Sequence, residues 1–283
     1  MANTIAQVTQ YLKDTVALNE VFKQRSLTMD IEQPKVQFVG ANVVKLPKIT
    51  FGAGLGTYSR ATGHVANDMT LAWDTYTLSQ DKGNKLLLDA MDDEEGLSAS
   101  IVPYVNQYIR TVVVPAVDTY RFGKLAAGAG TIKYSITLDA ATVIDKMQEA
   151  IETFLTNEVP AEGNIFYITP AMDTLLTTNS DISRRIEVGA WNGNVDLKVR
   201  QYGGNKIVVV PASRLGTGVN FMLVNPDAVM GVVKHNPAAF FPQGTVPGYD
   251  GSEVDYRLYH DMFVIENKQK GIFASLSTAD PEA

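Results

Sequence analysis

Apolar residues recur at helical spacing from the start of the chain, where Ile5, Val8, Leu12 and Val16 fall on one side of a short amphipathic helix. The next pattern is extended. Val43–Phe51, VVKLPKITF, reads as a strand, but Pro47 has no N–H to give to a ladder, so the segment is an edge strand or an extended arm. Residues 1–50 hold no compact apolar set and are expected to pack on something outside themselves. Gly52–Asp68 is glycine-rich and polar, a loop. Met69, Leu71 and Trp73 then alternate with Thr70, Ala72 and Asp74, and after Thr75 the apolar phase moves to Tyr76 and Leu78. Such a switch marks a bulge or a strand contacted on both faces. With Asp81-Lys82-Gly83 as a turn and Leu86–Leu88 as the return, the pattern predicts a long two-sided hairpin over 69–90. A lone hairpin is marginal in water and needs a surface to lie on.

Asp92, Asp93, Glu94 and Glu95 precede a long helical pattern. Ile101, Val105, Tyr108, Val112, Ala116 and Tyr120 keep one face, and Ala127-Gly128-Ala129-Gly130 ends it. Pro103 suits a first turn. Pro115 falls in the interior, where it costs about 3 kcal/mol or bends the helix. Beyond Gly130 the texture is compact α/β. A helix is expected over Asp139–Thr156, with Val143, Ile144, Met147, Ile151, Phe154 and Leu155 on its apolar face. NIFYITP is a buried strand, and Pro170 opens a helix that runs to Thr178. VDLKVRQY and KIVVVP flank Gly203-Gly204 as a hairpin, and NFMLVNP and AVMGVVKH are two more strands. Asn236–Ser252, rich in proline and glycine, reads as an irregular loop. VDYRLYHDMFVIEN and GIFASL close the chain as strands around a Lys268-Gln269-Lys270-Gly271 turn. The fold class is α+β, and 283 residues with 45% apolar content suffice for one or two domains.

Composition narrows the chemistry. A formal charge of −7 with no basic run longer than Arg184–Arg185 is the wrong electrostatics for a duplex reader. The absence of cysteine excludes disulfides and thiolate metal sites. No basic-then-apolar leader pattern opens the sequence, and no apolar run approaches the ~20 residues of a membrane span. Gly52-Ala53-Gly54-Leu55-Gly56 superficially resembles a dinucleotide loop, but a polar Thr/Ser stretch follows it where a helix is required. His64, His235 and His260 form no i, i+4 pair, and Gly96-Leu97-Ser98-Ala99-Ser100 lacks the last glycine of a nucleophile elbow. Asp92–Glu95 is explained by a helix start rather than a cation site. No catalytic, cofactor-binding or metal-binding residue is assigned, no cofactor is expected, and the chain reads as a non-enzyme. What remains is shape: an arm and a protruding hairpin, costly to order unless buried on other copies of the chain. Trp73, Tyr76, Leu78, Lys82, Lys85 and Leu87 are the candidate inter-subunit contacts, and Pro115 is the candidate helix bend.

On the opening MANTIAQVTQYL, on YTLSQDKGNKLLLDAMD, on VVVPAVDTYRFGKLAAGAG and on the closing FVIENKQKGIFA, the sequence resembles the major capsid proteins of tailed bacteriophages, with the Hong-Kong-97-type capsid fold. The resemblance runs over essentially the whole chain. It implies an N-terminal arm over 1–48, an extended E-loop over 49–90 and a peripheral-domain (P-domain) spine helix over 91–132. An α/β axial domain (A-domain) follows over 133–235, with C-terminal P-domain strands over 236–283. It further implies self-assembly into hexamers and pentamers of an icosahedral shell in the virion, formed in the host bacterial cytoplasm. Scaffolding and portal proteins are implied partners, with packaged double-stranded DNA near the acidic wall by non-specific proximity only and no membrane. Shell maturation in this family flexes the spine helix, which gives Pro115 a role. Some members weld the hairpin to a neighbour through a Lys–Asn isopeptide with a catalytic Glu. Lys82 and Lys85 lie in the expected hairpin, but nothing in the sequence identifies their Asn or Glu. Two other readings are an encapsulin-type nanocompartment shell and a soluble α/β enzyme whose hairpin is a flap over a cleft.

Overall fold

The structure, a computed structural model, describes residues 26–32, 38–39, 42–52, 54–61, 63–64, 68–91, 101–179, 201–235 and 238–279. The helix expected over Ile5–Val16, the acidic run Asp92–Glu95 and most of the strand VDLKVRQY lie outside these residues.

The core is a six-stranded mixed sheet. Its strands are β5 (Thr131–Lys133), β6 (Ile165–Ile168), β7 (Gln201–Tyr202), β8 (Asn205–Val209), β9 (Val219–Val224) and β13 (Ile272–Leu276), in the order β5-β13-β9-β6-β8-β7. Alternation along these strands supplies two apolar faces. Phe166, Ile168, Phe221, Leu223 and Phe273 pack against Val143, Met147, Ala150, Ile151 and Phe154 of one helix, Val143–Thr156. The interleaved Ile165, Tyr167, Met222, Val224, Ile272 and Ala274 pack against Phe122 and Leu125 of the long helix on the other side. A sheet covered on both faces explains why these strands read as near-continuous apolar runs.

The long helix comprises α1 (Ile101–Tyr108), a π-helical turn (Ile109–Val113) and α2 (Val114–Ala127); the sheet-covering helix Val143–Thr156 is α3. In the π turn the Val114 N–H bonds the Ile109 carbonyl, five residues back. Pro115 follows at the start of α2. Proline can neither bond the residue four back nor tolerate its carbonyl, and the wider turn just ahead of it absorbs the misfit. At its far end the helix passes close to the turn that precedes β13. A Cβ on Gly130 would stand 2.5 Å from the Gln269 carbonyl oxygen, so only glycine fits. Next come α4 (Pro170–Thr178), with proline in its first turn, and α5 (Ala212–Leu215).

A second sheet is built on β12 (Gly251–Val264), a strand of 14 residues. β10 (Val229–His235) and β11 (Ala238–Phe241) pair with successive parts of it, and β4 (Gln80–Asp89) runs along ten residues, from Gly251↔Asp89 to His260↔Gln80. A third sheet joins β1 (Phe38–Val39), β2 (Val43–Phe51) and β3 (Met69–Thr77).

These pairings correct the expected hairpin. β3 pairs with β2, not with the strand that follows it, and Asp81-Lys82-Gly83 is no turn but lies inside β4, with Gly83 opposite Arg257. The local turn signal lost to two longer partners. β12 offers Val254 to Leu86 and Leu88, and β2 matches β3 over nine residue pairs. Smaller corrections follow the same logic. α3 begins at Val143, because Asp139 Oδ1 accepts from Ala141 N and Thr142 N at 2.9 and 2.8 Å and holds the preceding residues in a turn. Leu155 is 57% exposed. The loop expected over Asn236–Ser252 contains β11. Lys268-Gln269-Lys270-Gly271 lies within a 3-10 turn, Glu266–Gly271, whose flanking strands enter different sheets.

Candidate assembly surface

β2 and β3 form a hairpin that is anchored at its base and apolar on its free face. At the base, Val44 and Leu78 are buried with Met230 and Val232, and Leu46, Tyr76, Tyr259 and Phe263 pack around them. The Tyr76 and Phe263 ring centroids are 5.3 Å apart. Lys48 Nζ reaches Glu266 Oε2 at 3.2 Å, which holds the lysine's proton more tightly than usual. All of these residues belong to, or pack on, one side of the ladder. The other side carries three directly opposed pairs, Pro47↔Trp73, Ile49↔Leu71 and Phe51↔Met69. Ile49, Phe51, Met69, Leu71 and Trp73 are each between 52 and 67% exposed. Scattered exposed apolar residues are ordinary, but a contiguous ladder of them marks an interaction surface. Pro47 also removes a donor from β2, whose edge beyond the two residues paired with β1 has no strand partner among the described residues.

The residues singled out from sequence divide into three groups. Trp73 lies in the exposed ladder. Tyr76 and Leu78 lie at the hairpin's base, inside their own chain, with Leu78 only 3% exposed. Lys82, Lys85 and Leu87 are not in the hairpin but on β4. Lys85 Nζ sits 2.6 Å from Glu253 Oε1, and this bond raises the lysine pKa. A nucleophilic lysine needs the opposite shift, so Lys85 is held as a cation. Leu87 shares that face, while Lys82 faces the long helix with Leu86 and Leu88. Ile49, Phe51, Met69 and Leu71 were not singled out. The signal was present in the alternation of both strands, but only the β2–β3 register shows that the two apolar sets share a face.

A second feature is polar and was not read from the sequence. Ser26–Glu32 crosses α2 as a strap. Asp118, fully buried, accepts from Ser26 Oγ (3.1 Å), Leu27 N (3.1 Å), Thr28 Oγ1 (2.9 Å) and Arg214 NH1 (3.1 Å). Arg121, 1% exposed, reaches Thr28 Oγ1 at 2.8 Å and Glu32 Oε1 at 2.6 Å. Ile31 is buried in the core beside Phe122. Asp118 therefore joins both the strap and α5, which carries Arg214, to the helix. Spacing held the clue: Asp118, Arg121, Phe122 and Leu125 recur at intervals of three and four, and all four are buried. The face expected from sequence, through Val112 and Ala116, is exposed there instead, because the π turn shifts the helical register.

No protein-family model matches the chain, and no curated protein is significantly similar to it. Solved structures are. The capsid structure of the cyanophage P-SCSP1u superposes with a TM-score of 0.77 at 13% identity, over 96% of this chain and 93% of that one. The structure described as Mycobacterium phage Che8 gives 0.75 at 16% identity, over 99% and 100%. The chain has the Hong-Kong-97-type capsid fold. A virus-like particle from Pyrococcus furiosus shares the fold more distantly, with a TM-score of 0.54 at 10% identity over 89% and 92%.

Proposed function

We propose that the chain is the repeating subunit of an icosahedral phage capsid, assembling with its own copies into hexamers and pentamers around packaged DNA. The observation that carries this reading is the exposed ladder Pro47/Trp73, Ile49/Leu71, Phe51/Met69 on a projecting E-loop. Each of its large side chains gains part of the ~1.5–3 kcal/mol available on full burial only when another surface covers it. Similarity to phage capsid structures supports a second copy as that surface. Head-to-tail contacts of this kind close into rings, and rings into shells. The chain divides at its sheets. The arm runs up to about residue 42, the E-loop spans 43–77, β4 joins the P-domain with the spine helix and β10–β12, and β13 returns to the A-domain. Scaffolding and portal proteins are the expected assembly partners, the host cytoplasm the place of assembly, and the net charge of −7 lets DNA lie against the wall without adhering.

Size-exclusion chromatography and negative-stain microscopy of the purified chain test this: shells, rings or hexameric sheets are expected, and a stable monomer at high concentration refutes it. The similarity to the Pyrococcus furiosus particle favours one second reading, a nanocompartment shell. Particles filled with protein and free of nucleic acid would select it.

A further inference from the structure

The spine helix touches the P-domain sheet at two places and stands off it between them. At one end Val105 and Ile109 pack against Leu86, Leu88 and Val254, and Asn84 Nδ2 donates to Tyr108 Oη at 2.8 Å. At the other end Tyr120 Oη donates to Asp261 Oδ1 at 2.7 Å. The intervening stretch is the end of the π turn and the turn after it, where Val112, Val113, Ala116 and Val117 are too short to reach the sheet. Opposite them lie Leu258 and the ring of His260. The gap is a groove of about 290 Å³. At ~30 Å³ for each water in the liquid, this is room for roughly ten non-hydrogen atoms.

Among the described residues that line the groove, one is charged. Lys82 stands exposed on its wall and makes no ion pair among the described residues. Asp261, next to His260 on β12, does not line the groove; it keeps its charge and accepts from Ser79 N at 2.7 Å and Ser79 Oγ at 2.9 Å as well as from Tyr120. His260 is neutral at pH 7, its pKa pushed down to about 4 by burial and then by Arg121, with Asp261 pulling the other way and Lys82 adding a smaller downward push. The walls are therefore mainly apolar, and the Lys82 ammonium, the charged side chain among the residues that line them, sits at the side.

We propose that this groove binds a small amphiphilic anion, its apolar body between Val112, Val113, Ala116, Val117 and Leu258 and its carboxylate or sulfonate at the Lys82 ammonium. Because the walls come from both helix and sheet, an occupied groove fastens the spine helix to the P-domain at its π turn.

Octanoate and octan-1-ol, matched in length and different in charge, are the probes, read by saturation-transfer NMR and thermal denaturation of the purified subunit. Octanoate is expected to bind and raise the unfolding temperature, and octan-1-ol to bind more weakly. Lys82→Gln is expected to weaken octanoate by about threefold to fivefold, the scale of one exposed ion pair, and leave octan-1-ol unchanged. Ala116→Trp, which fills the groove from an exposed helix position, is expected to abolish both. Equal binding of the two probes, or octanoate binding insensitive to both substitutions, overturns the proposal. Loss of octanoate from assembled shells also overturns it, since a second copy would then be the groove's occupant.

Discussion

Asp118→Ala is the most informative single perturbation of the fold. Asp118 is fully buried and, among the described residues, is the acceptor shared by the strap and Arg214. Alanine leaves the Arg214 side chain, 5% exposed, without this carboxylate, and strips Leu27 N and Thr28 Oγ1 of a partner. Summing four lost bonds to a charged group at about 1.5–3 kcal/mol each gives roughly 6–12 kcal/mol. Members of one network do not add, and Ser26 is only part-buried and can turn to water. The appropriate figure is that for removing one partner of a buried ion pair, about 3–5 kcal/mol. Against a total stability of ~5–15 kcal/mol this is a large fraction. Urea unfolding of the unassembled chain reads it directly: with m near ~3 kcal/mol/M, the midpoint falls by about 1–1.7 M. Hydrogen exchange localises it, with protection lost first at Leu27–Glu32. Asp118→Asn keeps one carbonyl acceptor and is expected to fall between parent and alanine. A midpoint shift below about 0.3 M, or a strap that stays protected, refutes the latch.

Leu71→Asp with Trp73→Ser changes two exposed positions, so subunit stability should move by no more than ~0.5 kcal/mol per site while shell formation is lost; normal shells from the double variant would remove the E-loop from the contact. His260 has a depressed folded-state pKa, about 4 against 6.5, so the unfolded chain binds more protons between those values. Its contribution is complete above pH 6.5 and declines as pH falls toward 4, by up to on the order of 3 kcal/mol, so urea midpoints between pH 4.5 and 7 should vary less in His260→Gln than in the parent, and equal slopes contradict this. Pro115→Ala returns an N–H to the spine helix and should leave the subunit folded while altering shell curvature or expansion. Parent and variant shells that match by electron microscopy and scanning calorimetry would dispose of the idea that the bend matters.

Sequence periodicity revealed the elements whose partners are close in the chain or whose faces are both covered. α3, α4, β6 and the β7–β8 turn fall where apolar spacing and Pro170 or Gly203-Gly204 place them. It misplaced the elements whose partners are distant. β4 carries an Asp-Lys-Gly triplet that is a turn signal in isolation. Along β12, however, Arg257 closes on Asp81 through Nε at 2.9 Å and Lys85 on Glu253, and the strand stays extended. The strap was invisible for another reason. Its recognition rests on hydroxyls and a backbone N–H meeting a carboxylate 90 or more residues away, and Ser, Thr and Leu at 26–28 have no periodicity to betray that.

The subunit inverts the usual sorting of residues in two places. It buries Asp118, Arg121 and Arg214 under the strap, and it leaves Phe51, Met69, Leu71 and Trp73 in water on the β2–β3 hairpin. Buried charges are seldom the most stable solution, since apolar replacements of similar volume often do as well or better, but they admit only the arrangement that satisfies every partner. The network therefore fixes how the strap, α2 and α5 meet, at little net gain in stability. The exposed ladder has the opposite character: it contributes nothing to the lone subunit and is non-directional, so it can supply association energy without dictating geometry. Specific geometry inside and unspecific adhesion outside is the division that the proposed self-assembling subunit requires. Substitutions in the two places should consequently separate, those at Asp118 weakening the fold before assembly begins and those at Leu71 and Trp73 abolishing assembly with the fold untouched.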